Sequence, residues 1–382
     1  MSHYDINEIK EVWDSFLPNE HHLKSQELLI FQESKLIDLR FSYLIVKRKS
    51  SIIGLIYMQL VDFNSRHYAS ELLDQSLLSL IKDYILKQKT GILICGNLFR
   101  IDSECFYFPQ KENQQFIFQV LDQFEGSNST SLNFSGILIK DCVLAFTKQQ
   151  LEGTRFKPYS KDKLMELAID PGWFTFDDYL NALSKKYKQR ANKILKAGEN
   201  LTRRTFTIEE FERYGVEIES LYENVVNRQL IKISKLNYSY FQKMMQRAEQ
   251  DFKITGYFHN DELIAFSSHF YHSKTVMEIH YIGFETEINE EFALYFNILF
   301  DGIKEAIEQE IEVLKLGRTG FDAKASAGAE AVEAHHYYRI KRGIPSLAFK
   351  YFIKFYTDKE ESKLKVRNPF KLRHKDEVIQ EV

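Results

Sequence analysis

At 382 residues the chain exceeds the roughly 250–300 at which a single hydrophobic core stops growing, so two domains are expected. Hydrophobic residues make up 44% and aromatic residues 14%, which supplies material for two cores and excludes a disordered chain. A net charge of −3 and a pI near 6.4 exclude a globally basic polyanion binder, so any contact with nucleic acid has to come from a local patch.

The segment Met1–Glu8 has no basic stretch leading into an apolar run, so no signal peptide is expected. No window approaches the roughly 18 apolar residues of a membrane span, and a cytoplasmic location is the expectation. Cys95, Cys105 and Cys142 are odd in number and lack CxxC spacing. They read as reduced thiols, with Cys95 buried in its apolar run.

Residues 41–62 contain two β-rich runs around a polar turn and predict a hairpin. Leu72 to Lys87 is helix-like, with Leu73, Leu77, Leu80, Ile81 and Tyr84 at helical spacing. Gly91 then leads into a strand at Ile92–Cys95, closed by Gly96. Asp170-Pro171-Gly172-Trp173 is a turn, and Thr175 or Asp177 can cap the helix after it. Residues 252–271 predict a second hairpin, with His259-Asn260-Asp261 as its turn. Ile52-Ile53-Gly54-Leu55 aligns there with Leu263-Ile264-Ala265-Phe266. A strand at 276–283, a helix over 290–309 and a strand at 311–316 closed by Gly317 complete the series. Hairpin, helix, strand and glycine thus occur twice in the same order. The expected organisation is one domain over 1–170, a second over 171–356, and a charged, solvated or loosely docked tail over 357–382.

The stretch Trp173-Phe174-Thr175-Phe176-Asp177-Asp178-Tyr179-Leu180, followed by Leu183 to Arg190, resembles the opening of one half of the GNAT superfamily group. That group includes Fem-type peptidoglycan aminoacyltransferases and related acyl-CoA N-acyltransferases. Tyr295 to Asp301 and Leu316-Gly317-Arg318-Thr319, with Lys324 and Gly328-Ala329, resemble it too. The likeness is best over 150–345. It implies an α+β fold of two tandem GNAT-like domains, each a bent mixed sheet flanked by helices. It also implies transfer from an acyl-CoA or aminoacyl-tRNA donor to an amine, on a small molecule or a cell-wall or lipid precursor, with tRNA as a further partner. Acetyl-CoA-using members carry a Gly-x-Gly/Ala loop whose backbone N–H groups hold the pyrophosphate. Here that stretch is Gly283 to Glu291, without Gly-x-Gly and with Glu285, Glu287, Glu290 and Glu291, which weakens an acetyl-CoA reading.

Six basic residues, Lys185, Lys186, Lys188, Arg190, Lys193 and Lys196, lie close together and suit a phosphate-bearing donor or acceptor. Their spacing wraps the helix, so not all six can face one ligand; the alternative is a solvated face. Glu278 and His280 alternate onto one face of the 276–283 strand and are candidate general bases for the acceptor amine. Arg318 and Thr319 follow the strand-ending Gly317, where a guanidinium can hold phosphate or carboxylate, and Lys324 shares that loop. The resemblance suggests Tyr337 or Tyr338 as proton donor to a departing thiolate, against a packing role. His335-His336 lacks a carboxylate or Cys at ligand spacing, so no metal is assigned. The P-loop, GxSxG, HExxH and EF-hand patterns are absent from the sequence. Two readings remain: an N-acyltransferase or aminoacyltransferase, or a non-catalytic binding protein on a degenerate GNAT scaffold that recognises an acylated, nucleotide or RNA ligand. The first requires the strands around 276–284 and 311–316 to diverge.

Overall fold

The computed structural model describes residues 2–62, 91–101, 103–126, 134–143, 145–159, 163–228, 234–248, 250–340 and 366–371. The helix expected over 72–87 lies outside the described residues. The first elements are β1 (Ser2–Tyr4), α1 (Ile6–Phe16), α2 (Ser25–Glu33), β2 (Leu39–Arg48), β3 (Ser51–Asp62), β4 (Gly91–Cys95) and β5 (Phe106–Tyr107). There follow α3 (Phe116–Gly126), β6 (Phe134–Cys142), α4 (Lys148–Leu151), β7 (Lys157–Tyr159), β8 (Lys163–Ala168), α5 (Phe176–Ala182), α6 (Lys185–Ala197) and β9 (Thr202–Thr205). Next come α7 (Ile208–Val226), α8 (Tyr238–Arg247), β10 (Phe252–His259), β11 (Glu262–Tyr271) and β12 (Val276–Phe284). The last are α9 (Asn289–Phe292), α10 (Leu294–Glu308), β13 (Val313–Gly317), α11 (Phe321–Ser326), β14 (Glu330–Glu333) and β15 (His335–Ile340).

Two compact units result. The first comprises Met1–Lys163, Val226–Ala248 and Glu333–Lys359; the second comprises Leu164–Val225, Glu249–Val332 and Glu360–Val382. The sequence placed one break near residue 170 and kept 171–356 together. The observed division instead gives α8 and β15 to the first unit, because β15 pairs antiparallel with β6 and β7 of its sheet. The sheet of the first unit has the order β1-β2-β3-β4-β6-β15-β7, with β5 on β3. Apolar clusters cover it, one including Trp13, Tyr43 and Tyr57, another Phe118, Phe134 and Tyr337. All three cysteines are buried, and burial pushes each thiol above its ordinary range.

The second unit holds the sheet β14-β8-β13-β12-β11-β10-β9. Its largest core cluster joins Tyr179, Ile194, Met277, Ile279, Phe300, Ile303 and Leu314. The hairpin β10–β11 turns at Asn260 and Asp261, both left-handed, as short polar side chains tolerate. Thr175 caps α5 in a reciprocal box with Asp178, settling the choice between Thr175 and Asp177. The helix expected over 290–309 is broken: Ala293 is left-handed (φ 47°) and separates α9 from α10. The Asn297 amide holds the break by donating to Phe292 O and Ala293 O, and to Ile194 O on α6. Of the charged tail, 366–371 is docked rather than solvated. Phe370 rests against Trp173 and Tyr179, and Ser184 N–H donates to Pro369 O at 2.8 Å. An apolar ring inside a charged segment supplies the anchor.

The repeat seen in the sequence is present, but its strands correspond differently. The strand at 92–95 was matched to that at 311–316. By pairing, β4 is antiparallel to β3 and parallel to β6 across α3, whereas β12 is antiparallel to β11 and parallel to β13 across α9 and α10. β4 therefore corresponds to β12, and β6 to β13. Both units are mixed sheets flanked by helices, as the tandem GNAT-like resemblance implied.

Candidate functional site

The two parallel pairs differ in extent. β4 is paired with β6 from Gly91↔Phe134 to Cys95↔Ile139, its whole length. The β12–β13 ladder consists of Val276↔Val313, Met277↔Leu314 and Glu278↔Lys315. Past Glu278, β12 continues to Phe284 along β11, while β13 ends at Gly317 against β8. Among the described residues the two strands part at Glu278. Every non-proline backbone carries a donor and an acceptor that need partners, so this stretch of β12 is the natural place for a ligand carbonyl.

A β-bulge marks the parting. Ser268 faces Tyr281 and His269 faces Ile279, so His280 is the inserted residue. The Ser268 hydroxyl bridges the bulge, accepting from Tyr281 N–H at 2.9 Å and donating to Tyr281 O at 3.0 Å. Glu278 and His280 meet, as their alternation predicted: His280 Nδ1 lies 2.9 Å from Glu278 Oε1. A residue that the sequence reading passed over completes the group, for His272 Nε2 lies 2.7 Å from Glu278 Oε2. Burial pushes the Glu278 carboxyl up. The His280 charge and the hydrogen bonds from His272 and His280 outweigh it and leave the group well below the carboxylate range. The His280 side chain is 0% exposed, near the rings of Phe252, Phe270 and Tyr281, whereas His272 is 20% exposed. The network thus runs from the apex of the parting to the surface.

Beyond β13 the loop turns tightly. Gly317 (φ 72°), Thr319 (φ 65°) and Gly320 (φ 61°) are all left-handed, and for threonine that conformation costs on the order of 1–3 kcal/mol. Arg318 is half-buried and Thr319 exposed. Lys324, on α11, is buried and donates from Nζ to Arg318 O at 2.8 Å. Burial pulls its ammonium down to about 7. A Cβ on Gly320 would stand 2.5 Å from the Tyr295 hydroxyl. Gly320→Ala is therefore expected to destabilise the unit by about 1–2 kcal/mol, seen as a lowered thermal midpoint, with Tyr295→Phe recovering the steric part.

Helix α6 turns Ala191 and Ile194 inward and leaves Lys185, Lys186, Arg190, Lys193 and Lys196 exposed. Lys188 is drawn to Asn181 Oδ1 (2.6 Å), and the Arg190 guanidinium lies 4.7 Å from the Phe296 ring centre. The proton-donor role suggested for tyrosine meets a different environment. Tyr337 and Tyr338 lie on β15, in the first unit's sheet, not on the sheet that carries Glu278. Tyr337 is buried between Phe118 and Phe146, and its hydroxyl accepts from Phe146 N–H at 2.6 Å. Tyr338 stands edge-on to Tyr159. His336 Nδ1 accepts from Asp141 N–H, which accounts for its burial.

A second polar group, unnoticed in the sequence, lies where β10 and β11 meet α10. Glu305 contacts His269 Nδ1 at 2.5 Å, the Tyr271 hydroxyl and Lys253 Nζ. Burial raises this carboxyl, but the His269 hydrogen bond and charge, with Tyr271 and Lys253, bring it to about 2. His269 sits inside the apolar run of β11, and that placement was the available signal.

On the acidic stretch 285–291, burial and the neighbours Glu287 and Glu262 raise the Glu285 carboxyl, which also accepts from Asn224. The stretch 285–291 thus bears the carboxylates Glu285, Glu287, Glu290 and Glu291.

No family model matches this chain, and no curated protein matches it. Among solved structures, FemX is similar at 12% identity and a TM-score of 0.49, over 89% of this chain and 97% of that one. The C-terminal domain of a putative lysylphosphatidylglycerol synthetase from Agrobacterium fabrum is similar at 11% identity and a TM-score of 0.48, over 91% and 96%. A tandem GNAT protein from the clavulanic acid biosynthesis pathway is similar at 8% identity and a TM-score of 0.44, over 83% and 88%.

Proposed function

We propose that the second unit transfers an acyl or aminoacyl group from a thioester or ester donor to an amine. The observation that carries this reading is the ladder that stops at Glu278↔Lys315, where its counterpart β4–β6 runs the length of β4. The acceptor nitrogen attacks the donor carbonyl, and main-chain N–H groups of β12 past the bulge stabilise the oxyanion. The amine gives its proton, through water, to the Glu278–His280 pair, and as the intermediate collapses the pair returns that proton to the leaving sulfur or ribose oxygen, which departs as a thiol or hydroxyl. Orientation of the two substrates supplies much of the remaining rate. Arg318, with Thr319, holds the anionic part of the donor on the loop that Lys324 fixes, and Lys185, Lys186 and Arg190 meet a phosphate-bearing substrate. The carboxylates at 285–291 favour aminoacyl-tRNA over acyl-CoA as donor. The acceptor class that goes with this chemistry is a cell-wall or lipid-precursor amine.

Thermal-shift titration with aminoacyl-tRNA, acetyl-CoA, long-chain acyl-CoA and cell-wall nucleotides tests the reading. Stabilisation by an aminoacyl or acyl donor and turnover to an amide are expected. Arg318→Ala should weaken that donor about tenfold or more; equal affinity in the variant removes Arg318 from the site. A ligand that binds and is never turned over leaves the binding-protein reading in its place.

A further inference from the structure

The chain is acidic overall, yet α6 carries six basic residues and no acidic one. At 100° per residue, Lys185, Lys196, Lys193 and Lys186 fall within an arc of about 100°, on the side away from the buried Ala191 and Ile194. All four are exposed, and Lys188, outside the arc, is turned to Asn181. Over about 16 Å of helix this is one cationic stripe. Near its N-terminal end, where Ser184 N–H donates to Pro369 O, the adjoining segments carry the two most exposed large hydrophobic residues among those described, Val366 (86%) and Phe174 (81%). Both tips are anchored beside α5. Phe174 follows Trp173, whose ring lies 5.5 Å from that of Phe370, and its N–H donates to Asp178 Oδ2 at 3.1 Å. Val366 precedes Phe370 on the docked segment, and Arg367 beside it pairs with Asp322. Phe174 thus projects from a fixed backbone.

We infer that this corner of the second unit docks on an anionic lipid surface, the lysine stripe on the phosphodiester headgroups and the Phe174 and Val366 tips at the apolar boundary. Cationic side chains near such a surface and aromatic tips at its edge act together in peripheral binding. A folded RNA offers the lysines the same charge but no apolar layer for the two tips, so the observations favour the lipid. The inference deepens the proposed function by giving a lipid-linked acceptor a place to be met, and vesicle binding is read without turnover.

The full chain is to be sedimented with phosphatidylglycerol–phosphatidylcholine vesicles and with pure phosphatidylcholine vesicles. Binding to the first alone, weakening with salt, is expected. Lys193→Glu with Lys196→Glu should lower it about 100-fold, and Phe174→Ser about tenfold, each variant first shown by its melting curve to be folded. Failure to bind anionic vesicles, or binding that neither variant changes, overturns the inference. So does tRNA binding that depends on the two lysines and that anionic vesicles do not displace. Transfer to a water-soluble amine, assayed without vesicles, tests the proposed function separately.

Discussion

Lys324→Met is expected to stabilise the second unit near pH 6 by about 3–4 kcal/mol and to abolish a pH dependence that the unaltered protein shows. Lys324 is buried, and among the described residues its Nζ donates to the Arg318 carbonyl and meets no carboxylate. Its ammonium titrates at about 7 in the folded chain against an ordinary 10.5. The unfolded chain therefore holds the proton more tightly, and stability rises with pH between about 7 and 10.5. Below 7 the full penalty is present, roughly 5 kcal/mol at 1.36 kcal/mol per pH unit. Methionine keeps the volume and removes the penalty, and leaving the Arg318 carbonyl without its donor costs back about 1 kcal/mol. At about 2–4 °C per kcal/mol the midpoint should rise by about 10 °C near pH 6, with the gain shrinking towards pH 10. Parallel stability–pH curves for the two proteins would show that the amine is not held neutral. The same change should lower transfer activity, since the amine holds the loop that presents Arg318 and Thr319. A more stable but less active variant is the usual sign of a strained functional site.

Glu278→Gln is expected to cost about 2–4 kcal/mol and to lower kcat about 100-fold. The carboxylate serves His272 and His280 at once, and the amide offers an acceptor to one ring while presenting an NH2 to the other. Because its folded pKa lies below the ordinary 4.5, Glu278 contributes stability that is present above about 4.5 and lost as pH falls towards the folded value. The unaltered protein should therefore lose stability more steeply in acid than the glutamine variant. His272→Gln, which keeps the bond to His280, separates the roles: a small loss of stability with kcat largely kept assigns catalysis to the apex pair. Equal kcat in Glu278→Gln and the unaltered protein would leave the network structural.

Much of the local structure was legible. β-Rich runs on either side of a polar turn predicted β2, β3, β10 and β11, and Thr175 announced α5 because its hydroxyl and the Asp178 carboxylate satisfy orphan N–H groups. The pairing of Glu278 with His280 was legible from alternation on one strand. His272 was not, since it belongs to the turn after β11 and reaches Glu278 through the hairpin's register. Nor were the partners of Glu305, which come from two strands, β10 and β11, while Glu305 stands on α10. Tyr337 was misplaced for the same reason: nothing near it in the chain tells which sheet β15 joins.

What the residues alone determined is what short-range forces decide: strand and helix periods, caps, an acidic stretch in place of a glycine loop, and a basic helix in an acidic chain. Which strand neighbours which, where β12 leaves β13, and the burial that lowers the Lys324 ammonium were decided only by the tertiary structure. Strand pairing and desolvation depend on segments far apart in the chain, and their energies have no counterpart in local spacing.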